Sequence, residues 1–422
     1  MGTISLLLTN CRVVPAGAKL PAQLDIAIGS DGRIAALSSS IPPEKAETVV
    51  DLAGFLVVAG LVDAHQHLDK SRTRALVQNE SGTLKGASAG YRGLAVKVTQ
   101  QEIMVRAERT INNCLARGTV AIRSHTNVES DTGLRGIEAM VELREHVRER
   151  ATLQVVAHLT ADAPRKLGAS RQWLADAITV GVDVIGGVPQ NADDPDAFLD
   201  LLFETADHHG LPIDMHIDEH LDSNQMLFDS VIKRTKAHGM QGRVTAGHCC
   251  ALSAASPDVA KRIIVGLAEA GIAVVTLPAA NLFLQGRDAE RLAPRGLTRV
   301  SDLLKAGVRV AAASDNIQDP FIPVGSGDLL EIARWTMLAG HLGLADLQTA
   351  FDMVSSAAAA AIGLGGNWGI RAGARADLLI TNASDIDDLV ATGPQVRAVL
   401  VGGRLVSGSL DKLATLTIKR NQ

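Results

Sequence analysis

The stretch that decides the fold is residues 59–73, which read Ala-Gly-Leu-Val-Asp-Ala-His-Gln-His-Leu-Asp-Lys-Ser-Arg-Thr. The apolar residues of 55–62, interrupted by Gly60, predict a buried strand, and His65 and His67 follow at its C-terminal end. Residues i and i+2 of an extended segment point to the same side. The two imidazoles can therefore bind one metal ion, or they can be two ordinary histidines near a strand end. The rest of the chain has to decide between these interpretations.

Length and composition favour a large α/β protein. A chain of 422 residues exceeds one average domain and fits a large barrel with an appendage. Hydrophobic residues make up 46%, aromatic residues only 3%, and glycines number 39, which indicates tight turns between Ala- and Val-rich elements rather than disorder. The net charge of −5, with no cluster of Lys or Arg, argues against a nucleic-acid partner.

Cysteine usage and the lack of long apolar segments bear on the compartment. The four cysteines form no spaced framework: Cys11, Cys114, Cys249 and Cys250. Cys249 and Cys250 are adjacent and so are poor disulfide partners for each other. We therefore expect a reducing, cytoplasmic compartment. The first residues lack a basic segment followed by a long apolar run, so we expect no signal peptide. No stretch reaches the ~18 apolar residues of a membrane helix, so we predict no membrane partner.

Both ends of the chain are rich in short strand candidates. These are residues 4–8, 11–14, 23–28, 33–37, 48–52, 376–381, 396–401 and 404–406. Turn residues such as Ser30-Asp31-Gly32 and Gly402-Gly403 separate them. We predict that residues 1–58 and 372–422 together form one small β-sandwich-like domain, and that residues 59–371 form the catalytic domain.

Strand and helix patterns alternate between these ends. The strand candidates are residues 56–62, 119–125, 153–158, 183–188, 212–216, 244–248, 273–277 and 308–313, and amphipathic helical stretches lie between them. Eight strands alternating with helices predict an α/β fold, namely a closed parallel (β/α)8 TIM-type barrel. An open doubly wound sheet is the alternative.

Ionisable residues stand at the ends of four otherwise apolar barrel strands. The first strand ends in His65 and His67, the fifth in His216 followed by Glu219, the sixth in His248 and the eighth in Asp315. Active sites of such barrels lie at the C-terminal ends of the strands. A single histidine there often caps a strand by bonding a loop carbonyl, but a set at four strand ends indicates a functional site.

This set has the chemistry of a hydrolytic metal site. Three imidazoles and one carboxylate are suitable ligands for Zn²⁺ or Fe²⁺, with a water completing the shell: His65, His67, His216 and Asp315. Such a metal lowers the pKa of that water from ~15.7 toward ~7, which gives a hydroxide nucleophile at neutral pH. We expect Glu219 to carry protons between water and substrate, and His248 to hold the hydroxide or polarise the group under attack. Asp315 could bind the metal and also accept the proton of the water.

In these residues the chain resembles the amidohydrolase superfamily and, within it, the cytosine deaminase-like branch, which includes cytosine deaminase and N-isopropylammelide amidohydrolase. The resemblance covers nearly the whole chain and rests on motifs in a fixed order at residues 60–70, 79–84, 214–219, 242–248, 281–287 and 314–321. It implies one divalent metal on the four ligands, with Glu219 and His248 as catalytic partners. Binuclear members carry a bridging lysine at the end of the fourth strand, and residues 183–190 contain none. The resemblance therefore implies a mononuclear site.

The resemblance also implies which residues form the substrate wall. It assigns Leu84, in the loop after the first strand, a main-chain contact to the substrate ring, and we add Asn316 as a binding residue. Cytosine deaminases place a glutamine where this chain has Thr160, and a tryptophan where it has Phe321. The hydroxyl of Thr160 cannot make a bidentate amide contact. This difference argues against cytosine itself as the substrate, while hydrolysis at a ring carbon stays expected.

The predicted function is a metal-dependent aminohydrolase for a small heterocyclic molecule. It attacks an amidine-like carbon of a cytosine-like pyrimidine or an s-triazine and releases ammonia or an amine. The first alternative is hydrolysis that opens a cyclic amide or imide at the same site. A non-catalytic binding protein on the same scaffold is the second alternative. We expect a homo-oligomer only from the frequency of symmetric assemblies.

Overall fold

Two eight-stranded sheets organise the computed structural model, which describes residues 4–292 and 294–410. The strands are β1 (Ile4–Val13), β2 (Ala22–Gly29), β3 (Ile34–Ser38), β4 (Ala46–Asp51), β5 (Leu56–Ala59), β6 (Leu61–Gln66), β7 (Thr119–Val128), β8 (Thr152–Leu159), β9 (Val184–Gly187), β10 (Ile213–Ile217), β11 (Val244–His248), β12 (Ala273–Thr276), β13 (Val310–Ala312), β14 (Leu378–Thr381), β15 (Arg397–Val401) and β16 (Arg404–Ser407). The helices are α1 (Leu84–Ala95), α2 (Gln100–Ala116), α3 (Arg135–Val147), α4 (Leu167–Val180), α5 (Pro195–His209), α6 (Phe228–Ala237), α7 (Ala251–Ala254), α8 (Pro257–Glu269), α9 (Pro278–Leu284), α10 (Val300–Lys305), α11 (Leu329–Ala339), α12 (Leu347–Met353), α13 (Ser356–Ala361) and α14 (Ile386–Thr392).

The barrel is the sheet that runs from β6 to β13 in chain order, and every neighbouring pair of strands is parallel. A bridge between Gln66 and Asp315 joins its two edges. There the His67 N–H donates to the Asp315 carbonyl at 3.0 Å, and the Asp315 N–H donates to the His65 carbonyl at 2.9 Å. The predicted (β/α)8 TIM-type barrel is confirmed, and the open doubly wound sheet is wrong.

Helix ends show why the helices begin and end where they do. Thr99 and Glu102 form a capping box at the start of α2, in which each side chain accepts a hydrogen bond from the other residue's backbone N–H. Gly181 ends α4 and Gly210 ends α5, both with positive φ, a conformation that costs glycine little. No helix in the described part of the chain is both long and apolar enough to cross a membrane.

The second sheet combines both ends of the chain. Its strand order is β16-β15-β14-β5-β1-β2-β3, and β4 pairs with β1. Its apolar core joins residues from the two ends, among them Leu8, Ile26, Leu378 and Leu400. The domain boundaries at 58/59 and 371/372 stay a prediction, and residues 1–3 and 411–422 of the predicted terminal domain lie outside the described residues.

The strand predicted at residues 56–62 is two strands in two different sheets. β5 pairs with β1 and β14 in the terminal sheet, whereas β6 pairs with β7 and opens the barrel. Gly60 lies between them, and a Cβ atom there would lie 2.5 Å from Cγ2 of Val120. The backbone therefore passes from one sheet to the other where a side chain has no room, and His65 lies inside β6 rather than beyond the strand.

Candidate active site

The four predicted metal ligands lie together at the C-terminal end of the barrel. His67 Nε2 is 3.2 Å from Asp315 Oδ1 and 3.2 Å from His216 Nε2. His65 Nε2 is 3.6 Å from the same Asp315 Oδ1. All four residues are at most 5% exposed. Three imidazoles and a carboxylate from β6, β10 and the end of β13 thus converge on one small volume.

Several buried atoms of this cluster have no hydrogen-bond partner, which is the test of whether a metal fits. They include both ring nitrogens of His65, His216 Nδ1 and Asp315 Oδ1. One ligand atom each of His65, His216, His248 and Asp315 lies within 4.8 Å of the others. An unpaired buried polar atom costs about 1–3 kcal/mol. Because nitrogen and carboxylate ligands of this kind suit a divalent transition metal, the residues present fit such an ion.

A backbone carbonyl orients the ring of His67 from behind. The Nδ1–H of His67 donates to the carbonyl oxygen of His125 at 2.9 Å, and the Lys70 ammonium, 2.9 Å from the same nitrogen, is itself a donor and so does not bond Nδ1 in this tautomer. A hydrogen bond from Nδ1–H to a carbonyl leaves the lone pair of Nε2 free, and Nε2 is the atom that faces Asp315 and His216. The ring is therefore held with the correct nitrogen toward the cluster.

Burial sets the protonation of the cluster at neutral pH. It lowers the pKa of His65, His67 and His216 well below the ordinary value for histidine, and neighbouring imidazoles and Lys70 lower it further. Burial also raises the pKa of Asp315 well above its usual range, and the charge of Asp319 adds to this. These shifts favour neutral imidazoles with lone pairs available, while the charge of Lys70 offsets only part of the effect of burial on the pKa of Asp315.

Glu219 and His248 form an acid–imidazole pair beside the cluster. Glu219 Oε1 is 3.6 Å from His248 Nδ1, and Asn281 Nδ2 lies 3.1 Å from the same nitrogen. Burial, followed by the charge of Asp315, raises the pKa of Glu219 well above its usual value. Burial, followed by the charge of His125, lowers the pKa of His248 to about 3. Burial thus favours the protonated form of the Glu219 carboxyl, which can give up a proton, beside an imidazole whose neutral form is favoured.

A buried ion pair supports the cluster from inside the barrel. Arg123 Nη1 donates to Asp214 Oδ2 at 2.8 Å, and Asp214 Oδ1 lies 3.1 Å from His125 Nε2. The ring of His125 in turn stacks on the ring of His65, with centroids 3.7 Å apart. Arg123 and Asp214 therefore fix the position of one ligand through an intervening imidazole.

A cavity of 750 Å³ opens above the cluster. The cluster residues in its wall are His67, His216, Glu219, His248 and Asp315, while His65 is buried without lining it. The four predicted substrate contacts also lie in this wall: Leu84, Thr160, Asn316 and Phe321. The volume falls within the range of small-molecule sites. The structure thus brings all the predicted site residues to one place, and their roles stay proposals.

Leu84 differs in one respect from the prediction that places it in a loop. It is the first residue of α1, where the side chain of Thr83 accepts a hydrogen bond from the Gly86 N–H at 3.1 Å. The prediction of a loop was wrong because the glycine-rich composition of residues 82–93 conceals the helix. The start of a helix is a rigid place from which to present a backbone group to the cavity.

Sequence reasoning does not single out two further polar side chains of the cavity wall. Lys70 is 2% exposed, and its ammonium donates to Asn127 Oδ1 at 2.9 Å and lies 3.3 Å from Asp69 Oδ1. Gln190 follows β9 and has a buried Oε1 without a partner. The only sequence signal for Lys70 is its place three residues after His67. No sequence signal points to Gln190, because the spacing of residues does not reveal which of them face a cavity.

Comparisons with known proteins agree with this geometry. The model of the Amidohydrolase family matches residues 73–407. The pterin deaminase of Rhizobium rhizogenes is 32% identical over 378 residues, which cover 88% of this chain and 85% of that protein. The N-isopropylammelide isopropyl amidohydrolase of a Pseudomonas strain is 27% identical and covers 85% and 87%. A crystal structure of 5-methylcytosine deaminase from Klebsiella pneumoniae with 5-fluorocytosine has a TM-score of 0.87 and 28% identity, covering 96% of this chain and 97% of that chain.

Proposed function

The chain belongs to the amidohydrolase family, and from this premise we propose that it is a metal-dependent aminohydrolase of a small nitrogen heterocycle. The proposed substrate is an amino-substituted ring of the pyrimidine, s-triazine or pterin kind, from which the enzyme releases ammonia or an amine. Relatives named for deamination of pterin and 5-methylcytosine, and for hydrolysis of N-isopropylammelide, cover most of the chain. They support hydrolysis of a C–N bond outside peptides.

One observation carries the proposal: a ligand set and a buried carboxyl beside it line the same cavity. His67, His216 and Asp315 border it together with Glu219. A buried carboxyl with a raised pKa that lines a cavity beside a ligand set is typical of catalytic sites. The pairing of this acid with a ligand cluster is what hydrolysis of an aminated ring requires.

The cation is held, in this proposal, by four residues: His65, His67, His216 and Asp315. When bound, a divalent cation lowers the pKa of a water molecule toward ~7 and so supplies a nucleophile at neutral pH. Three nitrogens and one oxygen suit both Zn²⁺ and Fe²⁺, so the availability of the two metals decides which is bound. The absence of a lysine from β9 and the turn after it supports a single cation.

The chain's own residues manage the protons and the ring. Glu219, whose pKa burial raises, donates a proton to the amino nitrogen that leaves the ring. The imidazole of His248, fixed beside Asn281, hydrogen-bonds the group under attack. Phe321 offers a flat face in the cavity wall for the ring. Overall, a C–O bond forms at the ring carbon, the C–N bond breaks, and one proton of water leaves on the departing ammonia.

Release of ammonia from a panel of rings tests the proposal. The metal-loaded enzyme is incubated with aminopyrimidines, aminotriazines and aminopterins, and ammonia and the mass of the ring product are measured. We expect ammonia and a ring carbonyl from at least one class. A ring-opened carboxylate without ammonia would identify the cyclic amide hydrolase instead, and no turnover of any ring would contradict the proposal.

We also propose a cytoplasmic location for the enzyme. The four cysteines are all buried and unbridged. Free cysteines are typical of proteins in a reducing compartment, whereas disulfides form and persist in oxidising ones. A homo-oligomer stays a prediction that rests on the frequency of symmetric assemblies.

A further inference from the structure

We propose that Gln190 determines specificity by reading the amide edge of the substrate ring, that is, an N–H and the adjacent carbonyl. The proposal rests on the proposed function, because it concerns the ring that the aminohydrolase accepts. Gln190 lines the same cavity as Glu219 and Asp315. In this proposal Gln190 contacts the ring while the reacting carbon lies over the ligand cluster.

A rigid turn holds Gln190 at the catalytic end of the barrel. Residues Pro189–Asn191 form one turn of 3₁₀ helix directly after β9. The Asn191 N–H donates to the Val188 carbonyl at 3.0 Å, and the Ala192 N–H donates to the Pro189 carbonyl at 3.0 Å. Proline at the first position restricts φ. Because the backbone is fixed on both sides of Gln190, binding of a ring needs to order only the side chain and not the turn that carries it.

Gln190 and Thr160 follow neighbouring strands, and only Gln190 has the chemistry of an amide reader. The Val188 N–H donates to the Leu159 carbonyl at 3.1 Å, so the segment after β9 runs beside the segment after β8. Thr160 carries a single hydroxyl. A glutamine side chain carries one acceptor and two donors in one plane, and it can pair with a ring N–H and a ring carbonyl at once.

The amide of Gln190 is left free by the protein, unlike other amides of the same wall. Asn127 Oδ1 accepts from Lys70 at 2.9 Å, and Asn316 Nδ2 donates to Asp319 Oδ2 at 2.6 Å. Gln190 Oε1, in contrast, is buried without a partner in the described part of the chain. Such an acceptor costs about 1–3 kcal/mol when unpaired. Rotation of the Gln190 side chain brings Oε1 toward a ring N–H in the cavity, and the hydrogen bond formed there removes this cost.

The expected consequence is selection for rings in the lactam form. The ring N–H donates to Oε1 of Gln190, and Nε2 donates to the ring carbonyl. A ring without that carbonyl, or with the nitrogen methylated, leaves the amide unpaired. Sites built to hydrogen-bond their substrate reject analogues without the partner group by up to ~10⁴–10⁵. At this partly exposed position we expect discrimination of at least ~10².

The test compares kcat/KM for a lactam ring and for its N-methylated analogue. Gln190→Met keeps the length of the side chain but removes the amide, and we expect the ratio of the two values to fall at least tenfold. Gln172→Met is the matched control, because Gln172 lies exposed on α4 and bonds Asp176 at 2.8 Å. This control should keep the wild-type ratio. Gln190→Asn shortens the side chain by one methylene and so moves the amide away from the ring, and it should also lower the ratio. This variant replaces Gln190→Met in the test if Gln190→Met does not fold.

Three outcomes separate this proposal from the proposed function. If the wild-type enzyme turns over a lactam ring and a folded Gln190 variant keeps the wild-type ratio, the role of Gln190 is wrong and the aminohydrolase activity stands. If both kcat/KM values fall by the same factor, the residue is structural and the proposal is equally overturned. If the wild-type enzyme turns over no ring, the proposed function fails and the specificity proposal fails with it.

Discussion

Replacement of Arg123 by methionine tests whether a buried ion pair supports the ligand cluster. Arg123 is 2% exposed, and it donates to Asp214 at 2.8 Å, to Gln154 at 2.9 Å and to the Ile362 carbonyl at 3.1 Å. Methionine leaves the carboxylate of Asp214 buried without its cation, which costs about 3–5 kcal/mol. The two other released acceptors add to this cost. Urea denaturation measures the change in the free energy of unfolding.

Two further variants make this prediction specific to the buried charge. Arg123→Met/Asp214→Asn removes the unpaired charge and keeps an oxygen for His125, so we expect it to be more stable than Arg123→Met alone. Arg262→Met is the matched control, because Arg262 and Asp229 are 59% and 64% exposed and such a pair contributes only about 0–1 kcal/mol. The reasoning is refuted if Arg123→Met costs no more than Arg262→Met.

Three further predictions concern the acid, the thiols and the junction between the sheets. Glu219→Gln should lower kcat/KM for ammonia release by ~10²–10⁴, because Glu219 is proposed as a proton carrier. Metal analysis should show an unchanged metal content, because Glu219 is not a proposed ligand. Loss of the metal would count against that role. Burial raises the pKa of all four thiols, that of Cys114 to about 12. A thiol reagent at pH 8 should therefore label none of them in the native protein and all four in denaturant. Rapid labelling of the native protein would contradict the burial. Gly60→Ala should lower the free energy of unfolding, measured by thermal denaturation, by about 1–3 kcal/mol, because its Cβ would meet Val120 at 2.5 Å. Adding Val120→Ala should restore part of the loss. Wild-type stability of Gly60→Ala would contradict the close approach.

The strand period made the first half of the ligand cluster predictable. His65 and His67 alternate with Gln66, and the structure directs both toward Asp315. His216 and Asp315 lie about 150 and 250 residues after His65 and His67, and no local pattern joins them to this first pair. They became candidates only because a parallel barrel gathers the C-terminal ends of its strands at one face.

Other features depend on contacts that no local pattern encodes. Apolar residues stand on both sides of Gly60 within residues 56–62, and one glycine is compatible with a single strand, so the pattern does not mark the passage between sheets. That passage is set by partners far away in the chain, such as the Asp377 carbonyl, which accepts from the Gly60 N–H at 3.0 Å. Lys70 and Gln190 gain significance from the cavity that they border. Burial and the lack of a partner are properties of the folded chain, and they are what single out Gln190.

Metal titration of chelator-treated enzyme tests most directly the claim that one divalent cation, held by the barrel cluster, serves an aminohydrolase. Ammonia release from an accepted ring is measured as Zn²⁺ is added in steps, with an anaerobic series for Fe²⁺. The account predicts no release without metal and a linear rise that ends at one equivalent per chain. Full activity in the metal-free enzyme, or a rise that continues to two equivalents, would contradict it.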